Sequence, residues 1–310
     1  MRCLPPLLFR GNSESCTTCG RKGLNRRIIR KASDPRKNIR PSTPLRRGQP
    51  ELVLLPCYDA RRARRVARRF PVSAETSLSP DIAIVTGGSR GIGLAIARRL
   101  GRLGARVAIC ARSADAVERA ATELRSAGIE VMAAAADVSA PDSVRRFVTR
   151  VHEALGDASI LVNNAGVGVF RPAHEIDEPD WDRVLDTNLK GAWLMSREVA
   201  PQMIRQKRGH IIHIASLAGK NTFAGGGAYC ASKWGLRGLA GCMAEDLRGH
   251  GIRVSVVFPG TVHTEFSPHA GKEPSRMLQP EDVAHVVEML VRQAPGSFVS
   301  EVDLRPTQKP

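Results

Sequence analysis

Thr86-Gly87-Gly88-Ser89-Arg90-Gly91-Ile92-Gly93 joins a short apolar run, Ile82–Thr86, to a segment with helical apolar spacing, Gly91–Leu103. In that segment Ile92, Ala95, Ile96 and Leu100 recur at the three- and four-residue intervals of one helix face. A chain that leaves a strand and enters a helix within so few residues needs glycine for its backbone angles. The same glycines let a pyrophosphate approach the main chain. The helix behind them offers unpaired N–H groups and a partial positive charge. Such a loop is either a dinucleotide-binding turn or a tight turn that holds nothing, and the strand–turn–helix setting favours the first.

Outward from this loop the pattern alternates. Strands are predicted at Arg106–Ala111, Glu130–Ala135, Ser159–Asn163, His210–Ala215, Arg253–Phe258 and Phe298–Leu304. Helices fill the gaps at Asp115–Ser126, Pro141–Leu155, Pro179–Gln206, Gly227–Arg248 and Pro280–Gln293. Continuous apolar strands between amphipathic helices imply a parallel sheet covered on both faces. With right-handed crossovers this is an α/β, doubly wound sheet of about seven strands in a single domain.

The net charge of +17 is unevenly placed. Residues 1–80 carry 19 Lys and Arg against five Asp and Glu; residues 81–310 carry 28 against 25. The basic balance therefore belongs to the first quarter, which also holds nine of the 20 prolines. Residues 1–79 are read as a basic, Pro/Arg-rich, disordered extension and 80–310 as the working domain. A short basic helix over Ala60–Phe70 is the one element the extension suggests. The extension reads as a targeting segment, as a tail for nucleic acid or anionic lipid, or as sequence upstream of the true start; the last is preferred. Cys16 and Cys19 have the spacing of a metal pair, but no second pair follows and no metal is expected. No apolar run reaches the roughly 18–20 residues of a membrane span. Seven cysteines, with Cys110, Cys230 and Cys242 inside predicted elements, suit reduced, buried thiols in a cytoplasmic setting.

Further motifs follow in a fixed order. Asn163-Asn164-Ala165-Gly166 closes the fourth strand, Asn188 lies in Thr187-Asn188-Leu189-Lys190-Gly191, and Ser216 follows the fifth strand. Tyr229-Cys230-Ala231-Ser232-Lys233 comes thirteen residues after Ser216, and Pro259-Gly260-Thr261-Val262-His263-Thr264 follows the sixth strand. Together with the glycine loop these resemble the short-chain dehydrogenase/reductase family over residues 81–305. The resemblance implies a Rossmann fold and an NAD(P)-dependent oxidoreductase acting on a carbonyl or secondary alcohol.

Tyr229 and Lys233 lie four residues apart on a predicted helix, so their side chains share one face. A phenol titrates near ~10, and a neighbouring ammonium is expected to lower that value toward working pH. By resemblance, the catalytic set is Asn188, Ser216, Tyr229 and Lys233. Tyr229 exchanges the proton, Ser216 steadies the substrate oxygen, Lys233 bonds the nicotinamide ribose, and Asn188 holds a relay water. The resemblance places the cofactor on Gly87, Ser89, Arg90, Gly91, Ile92 and Gly93, with Asp137 and Val138 at the adenine. It places Asn164, Ala165 and Gly166 at the adenosine ribose, and Pro259, Gly260, Val262 and Thr264 around the nicotinamide. An NAD site needs an acid at the end of the second strand; here Ala111 and Arg112 stand there, with Arg90 in the loop. Two guanidiniums would grip a 2′-phosphate that an acid would repel, so NADP(H) is expected ahead of NAD(H).

The substrate pocket is expected along Val167–Phe170, Leu217–Phe223 and Glu265–Gln279. The core is similar to 3-oxoacyl-carrier-protein reductases, whereas the ending from Phe298 to Gln308 is more like reductases of small 3-hydroxy acids. Candidate substrates are therefore a 3-oxoacyl thioester, a small 3-hydroxy acid or a ketone. The rival reading is a catalytically silent NADP-binding regulator. The family implies a homotetramer or homodimer built from the helix bearing Tyr229; no membrane and no nucleic-acid partner are expected.

Overall fold

The computed structural model describes residues 77–266 and 273–309. The extension up to residue 76, with the Ala60–Phe70 helix and the Cys16–Cys19 pair, lies outside the described residues. Leu78 is already part of the folded unit: it is buried, and its N–H donates to the Leu103 carbonyl at 2.7 Å.

In chain order the elements are β1 (Ile82–Thr86), α1 (Gly91–Arg102), β2 (Arg106–Ala111), α2 (Ala114–Ser126), β3 (Val131–Ala135), α3 (Pro141–Leu155) and β4 (Ile160–Asn163). There follow α4 (Glu178–Leu185), α5 (Gly191–Gln206), β5 (Gly209–Ile214), α6 (Gly227–Arg248), β6 (Ile252–Pro259), α7 (Pro280–Val291) and β7 (Glu301–Leu304). The seven strands form one parallel sheet in the order β3-β2-β1-β4-β5-β6-β7. Both faces are covered, which explains why the inner strands are mostly apolar on both sides. Ile96 and Leu100 of α1, Leu124 of α2 and Val287 of α7 pack on one face. Phe147 of α3, Leu194 of α5 and Leu236 of α6 pack on the other. Strand order reverses beside β1, between β2 and β4, and there the strand ends open outward as a crevice.

Three local expectations are corrected. The predicted helix Pro179–Gln206 is two helices joined by a π-helical turn, Asp186–Lys190, that contains Asn188. Its apolar periodicity runs through the turn and does not betray it. The last strand begins at Glu301, not Phe298. Upstream of it, side chains occupy the backbone of Val299: its N–H donates to Gln293 Oε1 at 3.0 Å, and its carbonyl accepts from Ser255 Oγ at 2.6 Å. Of the three described cysteines Cys110 and Cys230 are buried free thiols, as expected, but Cys242 is exposed on α6.

The sheet also carries two buried histidines on β5. His210 Nε2 lies 2.8 Å from Ser255 Oγ, and His213 Nδ1 lies 3.4 Å from Asn163 Nδ2. Burial pushes His210 down to about 3 and His213 down to about 4, with Arg253 and Lys233 respectively adding repulsion. Both are neutral in the fold and protonate in the unfolded chain near 6.5. Below that value the unfolded state binds more protons, so stability falls as pH falls. From pH 7 to pH 5 the unfolding free energy in a urea titration is expected to drop by on the order of 3 kcal/mol. A curve that stays flat across that interval would show that the histidines are not held neutral.

Candidate active site

The crevice begins where β1 ends. Thr86 and Asn164 knit the ends of β1 and β4 together. Thr86 Oγ1 accepts from the N–H groups of Asn164 and Ala165, both at 3.0 Å, and Asn164 Nδ2 donates to the carbonyls of Thr86 at 2.9 Å and Gly87 at 3.2 Å. Gly87 and Gly91 have φ of +64° and +53°, the left-handed region that glycine tolerates. Gly93 is needed for a different reason. A Cβ there would stand 2.2 Å from the Gly87 carbonyl oxygen, so only a bare backbone lets α1 pack this close to the loop. No side chain caps the N-terminus of α1 and its first turn has no acid, which leaves a positive helix end facing the crevice.

The crevice has a volume of about 1000 Å³, at the upper end of the roughly 300–1,000 Å³ usual for ligand and cofactor sites. Gly87, Ser89, Arg90, Gly91, Ile92 and Arg112 line it from the β1 and β2 ends. Asp137, Val138, Asn164, Ala165 and Gly166 line it further along, and Tyr229, Lys233 and Thr264 close it. The glycine-rich cradle and the run of ligand-facing residues along it fit a dinucleotide.

Some expected residues support the lining without forming it. Pro259, Gly260 and Val262 lie behind it: the Gly260 N–H donates to the Leu304 carbonyl at 2.8 Å, and Val262 is buried in the core beneath Leu278. Asp137 Oδ1 accepts from both the N–H and the hydroxyl of Ser139, at 2.9 and 2.7 Å, so this carboxylate also closes the turn into α3. Cys110, Arg119 and His263 line the crevice and were not assigned to the site from sequence, while Phe266, also on the lining, falls in the Glu265–Gln279 segment expected at the substrate pocket.

At the crevice's inner end the four polar residues converge. Lys233 is buried on α6, and its Nζ donates to the Ile214 carbonyl at 3.0 Å while standing 5.7 Å from the centroid of the Tyr229 ring. Ser216, extended at the end of β5, accepts from the Ala218 N–H at 3.1 Å and is hydrogen-bonded to the Tyr229 phenol. Asn188 is 1% exposed and sits behind Gly166. Its Oδ1 accepts from the Val167 N–H at 2.8 Å; its Nδ2 donates to the Val167 carbonyl at 2.9 Å and to Ser232 Oγ at 3.0 Å. The side chain is therefore occupied in fixing the β4 loop against α6.

The electrostatics reverse one expectation. The Tyr229 phenol is pushed up to about 12, because burial penalises the phenolate more than the Ser216 hydrogen bond favours it. Lys233, itself desolvated and pushed down to about 8, does not outweigh that penalty. A second difference concerns Arg90. It pairs with Glu265 across the mouth of the crevice, both side chains being largely exposed. Arg112 and Arg119 line the β2 end with no carboxylate partner among the described residues, because Glu118 pairs with Arg125 and Glu123 with Arg98.

Residues 81–275 match the family model for short chain dehydrogenases. The chain belongs to that family. It is an oxidoreductase of the short-chain dehydrogenase/reductase type, and its doubly wound sheet is the Rossmann fold. It is 48% identical to a metagenomic short-chain oxidoreductase solved in complex with NADP, with a TM-score of 0.68 over 76% of this chain and 100% of that one. It is 36% identical to the 3-oxoacyl-acyl-carrier-protein reductase FabG of Pseudomonas aeruginosa, over 69% of this chain and 91% of that protein. It is 35% identical to the glycine betaine reductase ATRR of Emericella nidulans over 75% of this chain, but spans only 19% of that much longer protein.

Proposed function

We propose that this oxidoreductase reduces the carbonyl of a small-molecule substrate with NADPH, and that Tyr229 supplies the proton. The observation that carries this reading is a neutral phenol, hydrogen-bonded to Ser216 and lying near Lys233, at the inner end of a crevice with the shape of a dinucleotide site. Bound NADPH supplies the hydride. The remaining work belongs to the chain. With its phenol pushed up to about 12, Tyr229 holds a proton to give at neutral pH. Ser216 orients the phenol and the substrate oxygen. Lys233 spends one N–H on Ile214 and offers the others to the cofactor ribose and to re-protonation of Tyr229. Asn188 acts as a positioning residue, holding Val167 and Ser232 in place, and the relay water expected of it has only a lone pair on Oδ1 left to use.

Gly87, Ser89, Arg90, Gly91, Ile92 and Gly93 hold the pyrophosphate in this reading, Asp137 and Val138 the adenine, and Asn164, Ala165 and Gly166 the ribose. Thr264 meets the nicotinamide, backed by Pro259, Gly260 and Val262. Arg112 and Arg119 take the 2′-phosphate, and the NADP-bound metagenomic relative supports that choice. The catalytic domain spans residues 80–310, with residues 1–79 an extension that takes no part in the chemistry. The silent-regulator alternative finds no support in an intact Asn188–Ser216–Tyr229–Lys233 set. A cytoplasmic setting fits the buried free thiols, and no helix of the described residues is long and apolar enough to cross a membrane. Trp193 on α5 and Trp234 on α6 are 41% and 45% exposed, a pair of large apolar side chains that subunit contact through these helices would cover.

Three outcomes test this reading. Tyr229→Phe should lower kcat by about 10²–10⁴, the range of a lost general acid, while NADPH affinity in a fluorescence titration changes less than about threefold. Near-normal turnover would remove the proton role. Arg112→Asp should shift the kcat/KM ratio toward NADH by about tenfold or more, and more still when combined with Arg119→Ala; an unchanged ratio sinks the phosphate assignment. Light scattering should find a dimer or tetramer that Trp234→Glu dissociates, and a wild-type monomer would contradict the assembly.

A further inference from the structure

Two phenylalanines contact the Tyr229 ring, and a third extends the group. The Phe170 centroid lies 5.6 Å from that of Tyr229 at an interplanar angle of 65°, an edge-on contact. Phe266 lies 5.8 Å from Tyr229 at 50° on another side, and Phe223 extends the cluster, 6.1 Å from Phe170. With 2 tyrosines and 8 phenylalanines in 310 residues, four aromatic rings linked in a chain of contacts at one site is a concentration that composition does not explain.

The surrounding backbone makes room for these rings. A Cβ on Gly168 would come within 2.8 Å of Phe170 Cζ and 3.3 Å of Phe266 Cε1, so both rings rest over a bare backbone. A Cβ on Gly226 would come within 2.7 Å of Phe223 Cζ. A parallel bridge between Arg171 and Gly226 ties the Phe170 segment to the Phe223 segment, which fixes the two rings relative to each other. Phe170 and Phe223 nevertheless remain 38% and 49% exposed, leaving apolar ring surface open beside the phenol.

Among the described residues, three cations around the cluster are already paired. Arg171, next to Phe170 in sequence, reaches toward Asp180 at 3.8 Å. Lys220, three residues before Phe223, is held by Asp303 at 2.6 Å and Glu301 at 2.8 Å. Arg90 is paired with Glu265, beside Phe266. A substrate carboxylate drawn to any of these three cations would have to break its pair, at the cost of leaving an acid behind.

We infer that the substrate is an aryl ketone, its ring held in a cage of Phe170, Phe223 and Phe266 while its carbonyl meets Tyr229. This rests on the reductase reading above and adds the substrate class. An aromatic ring of the substrate gains edge and offset contacts with the three side chains that an aliphatic group cannot reproduce. A small 3-hydroxy or 3-oxo acid gains none of them.

The test uses the full chain with NADPH and three probes: acetophenone, butan-2-one and acetoacetate. Wild type should use acetophenone with a kcat/KM at least tenfold above either other probe. Phe170→Leu and Phe223→Leu keep apolar volume and remove the ring; each should lower the acetophenone-to-butanone ratio by about tenfold, mainly through KM. Equal use of acetoacetate and acetophenone, or Leu variants that depress both ketones alike, overturns the cage and leaves the reductase reading standing. If no probe turns over, calorimetric titration of acetophenone into the NADPH-loaded protein separates the two ideas. Binding that weakens about tenfold in the Leu variants supports the cage and removes the reductase reading. No binding removes the cage.

Discussion

The hydrogen bonds between Thr86 and Asn164 are the constraint on which the site depends. β1 and β4 are neighbours whose chains leave in opposite directions, one into the glycine loop and α1, the other toward α4. Where adjacent strands part in this way the sheet cannot close over its own edge, and the gap must be held to a fixed width. Thr86 Oγ1 accepts two backbone N–H groups from the β4 loop, and Asn164 returns two donors to β1 and the glycine loop. Each bond satisfies a backbone group that the ladder can no longer serve. The opening is therefore a built feature with few loose ends, and a ligand can lie in it without rearranging the strands.

From this edge the chemistry follows by burial. Tyr229 and Lys233 sit on α6 where it packs against the ends of β5 and β6, so both polar groups are taken out of water. Desolvation acts on them with opposite signs. It holds the phenol protonated and eases the ammonium toward neutrality. The pull of a neighbouring cation on the phenol, which spacing alone would emphasise, is smaller here than the cost of burying a phenolate. Asn188 contributes through shape. The π-helical turn around it lets the amide bond Val167 and Ser232 together, which sets Gly166 and α6 at a fixed separation.

The cage proposed for the substrate is built from a different material. In the function proposed above, backbone N–H groups and guanidiniums take the dinucleotide, whereas aromatic rings beside the phenol take the substrate. Polar groups specify one position and orientation. Ring faces accept a class of shapes and reject charge. A reductase that divides its crevice in this way can be strict about its cofactor and discriminate substrates by flatness and polarity.

Much of this was legible in the residues themselves. The strand and helix periods place the strands and helices in their order, because a doubly wound sheet must read as apolar runs alternating with amphipathic segments. They do not place the π-helical turn at Asn188 or the start of the last strand. The glycine loop is legible because its backbone angles and its close contact with Gly93 admit no other residue. Tyr229 and Lys233 are legible because four residues along a helix bring two side chains to one face. Interactions between distant segments were not. Nothing in the sequence pairs Arg90 with Glu265, 175 positions away, or brings Arg119 to line the same crevice as Arg112. Nor does it bring Phe266 against the ring of Tyr229, or set the direction in which the phenol titrates. Those depend on which surfaces meet and how much water they exclude. Local sequence determines the backbone conformations and the faces that side chains occupy, and only the packed chain determines the dielectric around them.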